Sequence, residues 1–537
     1  MQRSLFLFFF LPVFCANSQI NTSLFVDGEF ERKLTVSDSL SLTNQIRDHS
    51  LQAISQGHYF AGLDSAVQKG DELFIYLYKG EKRQFELEEF GRRKFQKTLR
   101  RRLRYLSNHG YPFALVKVDS IRMSETSLSG KLVEEKGPHI INDSSFFYNP
   151  IKTKSSYVHS LLDHVPGEQF NEANYKKINE RILRSTFLTF RRPADISFQD
   201  GKAKLYLDIE ENEASSFEGV LGLQQQGTGG TNVVGGLDLN IQNLFRSGKE
   251  LGISWESFSS ESQELLVSYG HPFFLGSKLS PHFQFDLLKQ DSLFLKRSTG
   301  LDLGMYVSPT IEILVGYIGS TGSLLSTEET SLLSSDVADF SSDLYSIHLK
   351  MGRVNKRKEL KTDFSWKAGV GLGSKEISEN VSIPSTFYDT LELKTDIFRF
   401  DLKSVFNKRI SQRQQFSQQL EVGLIENSQL LNNERYRLGG LRSIRGFNEK
   451  RFFADKYLLS RTELRSFFEK GSFVYLFYDQ LFFRNEDFQD APSGTGLGFV
   501  LATLSGQFNF ALALGRSKDQ PIDFSNMNAH FGYITNF

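Results

Sequence analysis

The sequence predicts an α+β N-terminal part followed by a transmembrane antiparallel β-barrel of about 16 strands. Three observations carry that prediction. From Phe217 to the end, apolar and polar residues alternate with period two, the mark of strands with two unlike faces. Before it, residues 20 to about 213 mix helical and strand patterns in units of similar form. The composition is only 39% hydrophobic, yet it holds 50 Phe, 19 Tyr and 42 Gly in 537 residues. A barrel wall produces that combination, because only every second residue faces lipid.

The chain begins MQRSLFLFFFLPVFCANSQ. Arg3 supplies a basic start, Leu5 to Phe14 an apolar stretch, and Ala16-Asn17-Ser18 a small-x-small cleavage site. Residues 1–18 are therefore expected to be a secretory signal peptide. Cys15 is the single cysteine, and cleavage after Ser18 leaves a mature chain with no thiol for disulfides or metal. Acylation of Cys15 is the competing reading, and Phe14 is too large for the position before an acylated cysteine. No later run of about 18 apolar residues could span a bilayer as a helix. Lys plus Arg and Asp plus Glu are equal at 63 each, which speaks against a nucleic-acid partner held by a basic field.

Three N-terminal units are expected, over 19–82, 83–141 and 142–214. In the first two a helix ends at Gly57 or Gly110, in GHY and HGY turns where a left-handed residue is wanted, and two strands follow. The third has a predicted helix over Glu172 to Arg184, then STFLTF and KLYLDIEEN as strands. Between the first two turns lies the basic run Arg92 to Leu106. There Phe95, Leu99, Leu103 and Leu106 form one apolar stripe. Its basic face is either simply solvated or placed against anionic lipid headgroups.

The barrel spans 215–537. In GGLDLNIQNLF, Leu237, Leu239 and Ile241 face one way and Asp238, Asn240 and Gln242 the other; KELGISW and FNFALAL repeat the alternation. Long polar insertions at 320–343, 375–394, 426–436 and 485–493 contrast with short turns such as Arg246-Ser247-Gly248, the expected outside–inside asymmetry. The glycines of GTGLGF, at 494–499, begin a strand, and so suit close backbone packing rather than phosphate binding.

One stretch does not alternate: RLGGLRSIRGF, Arg437 to Phe447. Gly439 and Gly440 open unusual backbone angles, and Arg437, Arg442 and Arg445 place three permanent cations on the loop. A guanidinium that leaves water needs carboxylates. Glu463 in RTELR and Asp479 in FVYLFYDQ sit inside nearby alternating runs and are the expected acidic partners of Arg445.

This constellation resembles the BamA/TamA superfamily of outer-membrane assembly and secretion barrels. Gly439, Gly440, Ser443, Ile444, Arg445, Gly446 and Phe447 match its inward-folding loop pattern, GG-x-x-S-[VI]-R-G-[FY]. In the family the corresponding aspartate begins D-A-G, whereas Gln480 and Leu481 follow Asp479 here. NLFRSGKELGISW and SYGHPFFLG also resemble early barrel strands of the family, with Arg246 in place of a glycine and His271 in place of an acid. The N-terminal units resemble its periplasmic POTRA modules. The ending HFGYITNF, with His530, Gly532 and Phe537, resembles the C-terminal signal of outer-membrane barrels, although Thr535 replaces an apolar residue.

The resemblance implies an outer-membrane barrel whose modules lie in the periplasm. It implies insertion or export of client β-proteins through a lateral seam between Phe217–Gln226 and Met527–Phe537, expected to pair poorly. It implies contact with outer-membrane lipids and with periplasmic, lipoprotein or inner-membrane partners. A two-partner secretion transporter and a passive channel remain the alternatives. No P-loop, H-E-x-x-H or nucleophile-elbow pattern is present, so neither enzymatic activity nor cofactor nor metal is expected.

Overall fold

The computed structural model describes residues 20–36, 39–69, 72–87, 95–124, 127–225, 231–259, 261–325, 337–353, 362–381, 383–389, 391–486, 488–503 and 505–537. The signal segment 1–18 lies outside the described residues.

The first sheet is four-stranded, in the spatial order Glu29–Val36, Ile20–Val26, Glu72–Tyr78, Gly62–Lys69. Ile20–Val26 runs parallel to Glu72–Tyr78, and the alternating Leu73, Ile75 and Leu77 bury against Leu24. The helix Ser39–Ser55 precedes Gly57, whose φ of 101° is open to glycine at little cost. The second sheet places Ser127–Glu135 between Gln84–Leu87 and Leu115–Met123. Its helix, Phe95–Asn108, is followed by Gly110 at φ 83°. The expected apolar stripe is narrower than its sequence spacing: Leu106 is buried, but Leu103 is 43% exposed. Arg102 on the basic face donates to Glu134 across to the sheet.

The third sheet places Lys202–Glu211 between Ile141–Phe147 and Leu188–Gln199. Leu188–Gln199 is longer than STFLTF suggests. It passes through Pro193 because it is an edge strand, where a missing N–H costs no ladder bond, and the register shifts beside it. The expected helix over Glu172 to Arg184 is broken into Glu172–Lys176, Ile178–Arg181 and a 3-10 turn, Ile182–Arg184. The Arg181 guanidinium takes the Asn174 carbonyl (3.0 Å) and the Leu162 carbonyl (2.8 Å). A further helix, Ser155–Leu162, escapes the sequence reading; it buries Tyr157, Val158, Leu161 and Leu162 in the module core.

Sixteen antiparallel strands close the barrel, labelled here β1 to β16 in chain order. They are β1 Ser216–Gln225, β2 Thr231–Leu244, β3 Lys249–Ser257, β4 Gln263–Gly270, β5 Leu279–Gln290, β6 Phe294–Tyr306, β7 Ile311–Leu324 and β8 Phe340–Arg353. There follow β9 Thr362–Ile377, β10 Lys394–Arg409, β11 Gln414–Glu426, β12 Lys456–Glu469, β13 Ser472–Arg484, β14 Ser493–Ala502, β15 Gln507–Arg516 and β16 Asn528–Asn536. Alternation decides the faces. On β13, Val474, Leu476 and Tyr478 point out, while Tyr475, Phe477 and Asp479 are buried inside.

The seam corrects one expectation. β1 and β16 pair continuously from Ser216↔Asn536 to Leu223↔Ala529, over as many residues as β4 and β5 do. Weak side-chain composition does not prevent a full backbone ladder, whose bonds come from the main chain alone.

The third module docks on the short-turn end of the barrel. The Lys154 N–H donates to the Arg246 carbonyl (2.8 Å), and Asn243 donates to the Thr153 hydroxyl (2.8 Å). Arg184 donates to the Ser308 and Pro309 carbonyls (2.9 and 3.1 Å) and lies over the Tyr306 ring. At the opposite end, loop and strand-end residues form an apolar roof. It includes Phe258, Phe294, Val337, Ile377, Ile383, Tyr388 and Leu431. Beneath it Lys375 and Glu434 make a buried ion pair.

In the third module burial pushes the His164 imidazole down to about 4, although the Asp143 carbonyl lies 3.2 Å from Nε2. The unfolded chain then binds more protons than the folded one from about pH 6.5 down to about 4. Stability of this module is thus expected to fall as pH drops through that window. Loss of hydrogen-exchange protection at Leu161 and Leu162 between pH 7 and 4.5, flattened in His164→Gln, is the measurement that checks it.

Candidate functional site: the inward loop

The chain between β11 and β12 turns into the barrel as a short hairpin, Tyr436–Leu438 pairing with Phe452–Ala454. Its tip, residues 439–451, has no ladder and is held by its own glycines and side chains. Gly439 and Gly440 take φ of 133° and 88°, and Gly446 takes 90°. The Gly439 N–H donates to the Ser443 hydroxyl (3.2 Å), and the Leu441 N–H to the Glu449 carboxylate (2.9 Å). Ile444 and Phe447 are fully buried with Leu438, Phe452, Leu459, Leu481 and Phe483. That apolar plug fixes the loop against the inner faces of β12 and β13.

Arg445, only 2% exposed, lies between two strands' carboxylates. Its Nε and Nη2 each donate to Asp479 at 2.7 Å, and its own backbone N–H donates to the same carboxylate at 3.1 Å. Nη1 donates to Glu463 at 2.7 Å. The guanidinium carbon also lies over the Phe477 ring, 3.8 Å from its centroid. Two planar, charge-assisted pairs satisfy a cation that has left water, the condition under which burying it is tolerated.

The loop backbone comes so close to the wall that side chains are excluded there. A Cβ at Gly494 would overlap the Arg445 carbonyl, and one at Gly515 the Gly446 carbonyl. The GTGLGF glycines therefore serve close approach: Gly496 and Gly498 also make room for the rings of Phe477 and Tyr475.

The other side of the loop crosses the lumen. Arg442 pairs with Asp238 of β2 and donates to Ser254 of β3. Lys450 pairs with Glu264 of β4 at 2.6 Å and Glu256 of β3 at 3.8 Å. Arg437 donates to Gln290 of β5 and faces the rings of Phe294 and Phe453. Arg461 of β12 donates to the Leu441 and Arg442 carbonyls (3.1 and 3.0 Å), and Arg465 pairs with Glu463 at 2.6 Å.

The structure thus brings Arg445, Glu463 and Asp479 together, and places Gly439, Gly440, Ser443, Ile444, Gly446 and Phe447 in the same tip. His530 and Gly532 face inward on β16, where His530 lines a small cavity with Leu441, Arg442 and Glu449 of the loop, and Phe537 is exposed. Sequence reasoning missed Asp238, Glu256, Glu264, Glu449, Arg461 and Gly515. Asp238 was legible as an inward polar residue; its pairing with Arg442, 204 positions away by subtraction, was not.

Comparison with known proteins finds a match to the family described as haemolysin secretion/activation protein ShlB/FhaC/HecB, over residues 336–486. That segment contains the loop, Glu463 and Asp479. Among solved structures, CdiB from Acinetobacter baumannii has 12% identity and a TM-score of 0.54, over 97% of this chain and 91% of that one. CdiB from Escherichia coli has 11% identity and a TM-score of 0.52, over 93% and 97%. BamA from Haemophilus ducreyi lacking POTRA domains 1–3 has 13% identity and a TM-score of 0.46, over 83% and 94%. No curated protein matches the chain.

Removing Arg445 leaves Asp479 buried and uncompensated. Arg445→Ala is expected to destabilise the barrel by about 3 kcal/mol, and Arg445→Lys by less, because an ammonium keeps the charge beside Asp479 although it cannot span both carboxylates. The midpoint of thermal unfolding, read from heat-modifiable electrophoretic mobility, measures both. An Arg445→Ala midpoint equal to the parent's would refute the claim.

Proposed function

We propose that this outer-membrane POTRA-plus-β-barrel protein of the BamA/TamA type exports a partner protein, as a secretion transporter. The observation carrying this reading is the match to the haemolysin secretion/activation family, because it falls on the segment that holds the inward loop and its carboxylates. Similarity of fold to the two CdiB structures supports the architecture this requires.

The physical steps follow from how unequally the loop is held. Its Arg445 half is buried, doubly paired and packed on glycine. Its Arg442 half is different: Arg442 is 41% exposed, and a pair that open to water is worth only about 0–1 kcal/mol. Around the loop remains a polar cavity of about 520 Å³, lined by Asp286, Lys296, Arg399 and Asp401 among others. An extended client needs a continuous path, so the Arg442 and Lys450 contacts with β2–β4 release while Arg445 stays as the pivot. The apolar roof parts at the outer end.

A second reading, insertion of client barrels, has its own support. Residues 20–55 are used up in the strands and helix of the first sheet, and three modules precede the barrel. Here the seam would open: Gly219 and Gly222 give β1 few side-chain contacts to lose. The modules and the seam would each offer client strands an edge.

Depletion in the native organism, followed by quantitative proteomics of the outer membrane and the medium, separates the two. Loss of one large exported protein with barrels untouched is the expected result; a broad fall of barrel proteins would overturn it in favour of insertion. Second, a disulfide across the registered pair Leu221→Cys and Phe531→Cys is expected to leave secretion intact. Abolished secretion, restored by reductant, would assign the work to the seam.

A further inference from the structure

The outer wall carries a groove that neither reading uses. It lies at the end of the barrel away from the third module, across β10 to β13, and is a wide, open depression of about 730 Å³. Phe400, Leu424 and Phe482 line it from the lipid-facing side of their strands. Lys456 and Arg484, at the adjoining ends of β12 and β13, and Lys518, in the loop before β16, close its outer rim.

We infer that this groove binds one phosphorylated glycolipid of the outer leaflet, an acyl chain along the aromatic floor and phosphates on the three cations. The volume lies in the range of clefts that take a small molecule, roughly 300–1,000 Å³. Cations on a lipid-facing wall are costly at mid-membrane and nearly free at the interface, so their clustering at the outer end marks headgroup depth. The nearby acids offset them only in part, and Lys518 also donates from Nζ to the Gln489 carbonyl (2.5 Å) at the rim's surface. Asp490 accepts the Ala491 and Lys518 backbone N–H groups (2.7 and 3.1 Å). Glu426 pairs with Lys456 alone, both half-exposed. Arg484 is exposed, and no ion pair of its guanidinium is found among the described residues. Three cations on one short rim match a head bearing more than one phosphate better than a singly charged phospholipid.

The test uses the full-length protein, delipidated and exchanged into nanodiscs, with bisphosphorylated lipid A, its dephosphorylated form and phosphatidylglycerol as probes, read by native mass spectrometry. Wild type is expected to retain one lipid A molecule. The triple variant Lys456→Gln, Arg484→Gln, Lys518→Gln is expected to lose at least tenfold in retention while keeping heat-modifiable mobility. If the triple variant fails to fold, Arg484→Gln alone is expected to weaken retention severalfold. Equal retention by the variant, or of phosphatidylglycerol or dephosphorylated lipid A by wild type, overturns the inference. A second copy of the chain on the groove, seen as a dimer, overturns it too. Because no client is present, the result is independent of the transport reading.

Discussion

The structure depends on one buried cation. Arg445 sits at the centre of the barrel's inner wall, held by Asp479 from β13 and Glu463 from β12. A guanidinium cannot deprotonate to escape burial, so the buried loop depends on both carboxylates. Everything adjacent is arranged around that pairing. Glycine at 494 and 515 lets the loop backbone touch the wall, and the Phe477 ring lies against the charge.

From that anchor the loop acts as a crossbar. Its far side engages β2, β3, β4 and β5 through Arg442, Lys450 and Arg437. A closed sheet has no cross-lumen contacts of its own. The crossbar therefore ties walls that neighbouring-strand hydrogen bonds cannot tie, and its contacts differ in exposure, Arg445 buried and Arg442 partly open to water.

The two ends of the barrel are built differently. On the short-turn side the third module is fastened mainly through backbone carbonyls of the turns, from Arg246, Ser308 and Pro309. Carbonyl contacts tolerate changes of turn sequence, which fits Arg246 standing where a glycine is usual in the resembled family. On the long-loop side an apolar cluster of loop and strand-end residues packs together, and Lys375 and Glu434 form a buried ion pair. Polar insertions were expected there, and an apolar cluster within them was not legible, because Val337, Ile383 and Leu431 are too far apart in sequence to form a pattern.

What the sequence determined by itself follows from local periodicity and from charge. Alternation alone set the strands and the inward face of Asp479, and the lone non-alternating stretch identified the loop. The unpayable desolvation of an arginine pointed to Glu463 and Asp479 as its acids. The tertiary structure alone decided which strands the loop crosses to, since Asp238 and Glu264 are polar residues on inward faces like many others until closure brings them opposite Arg442 and Lys450. It decided, too, that β1 and β16 zip together fully, because backbone pairing depends on the barrel's closure and not on side chains. Helix Ser155–Leu162 and the break in Glu172–Arg184 belong with these: one is stabilised by burial in the module core, the other by Arg181 reaching back to carbonyls outside its own turn. Local pattern reports which face a residue takes, and only closure of the fold reports what it meets there.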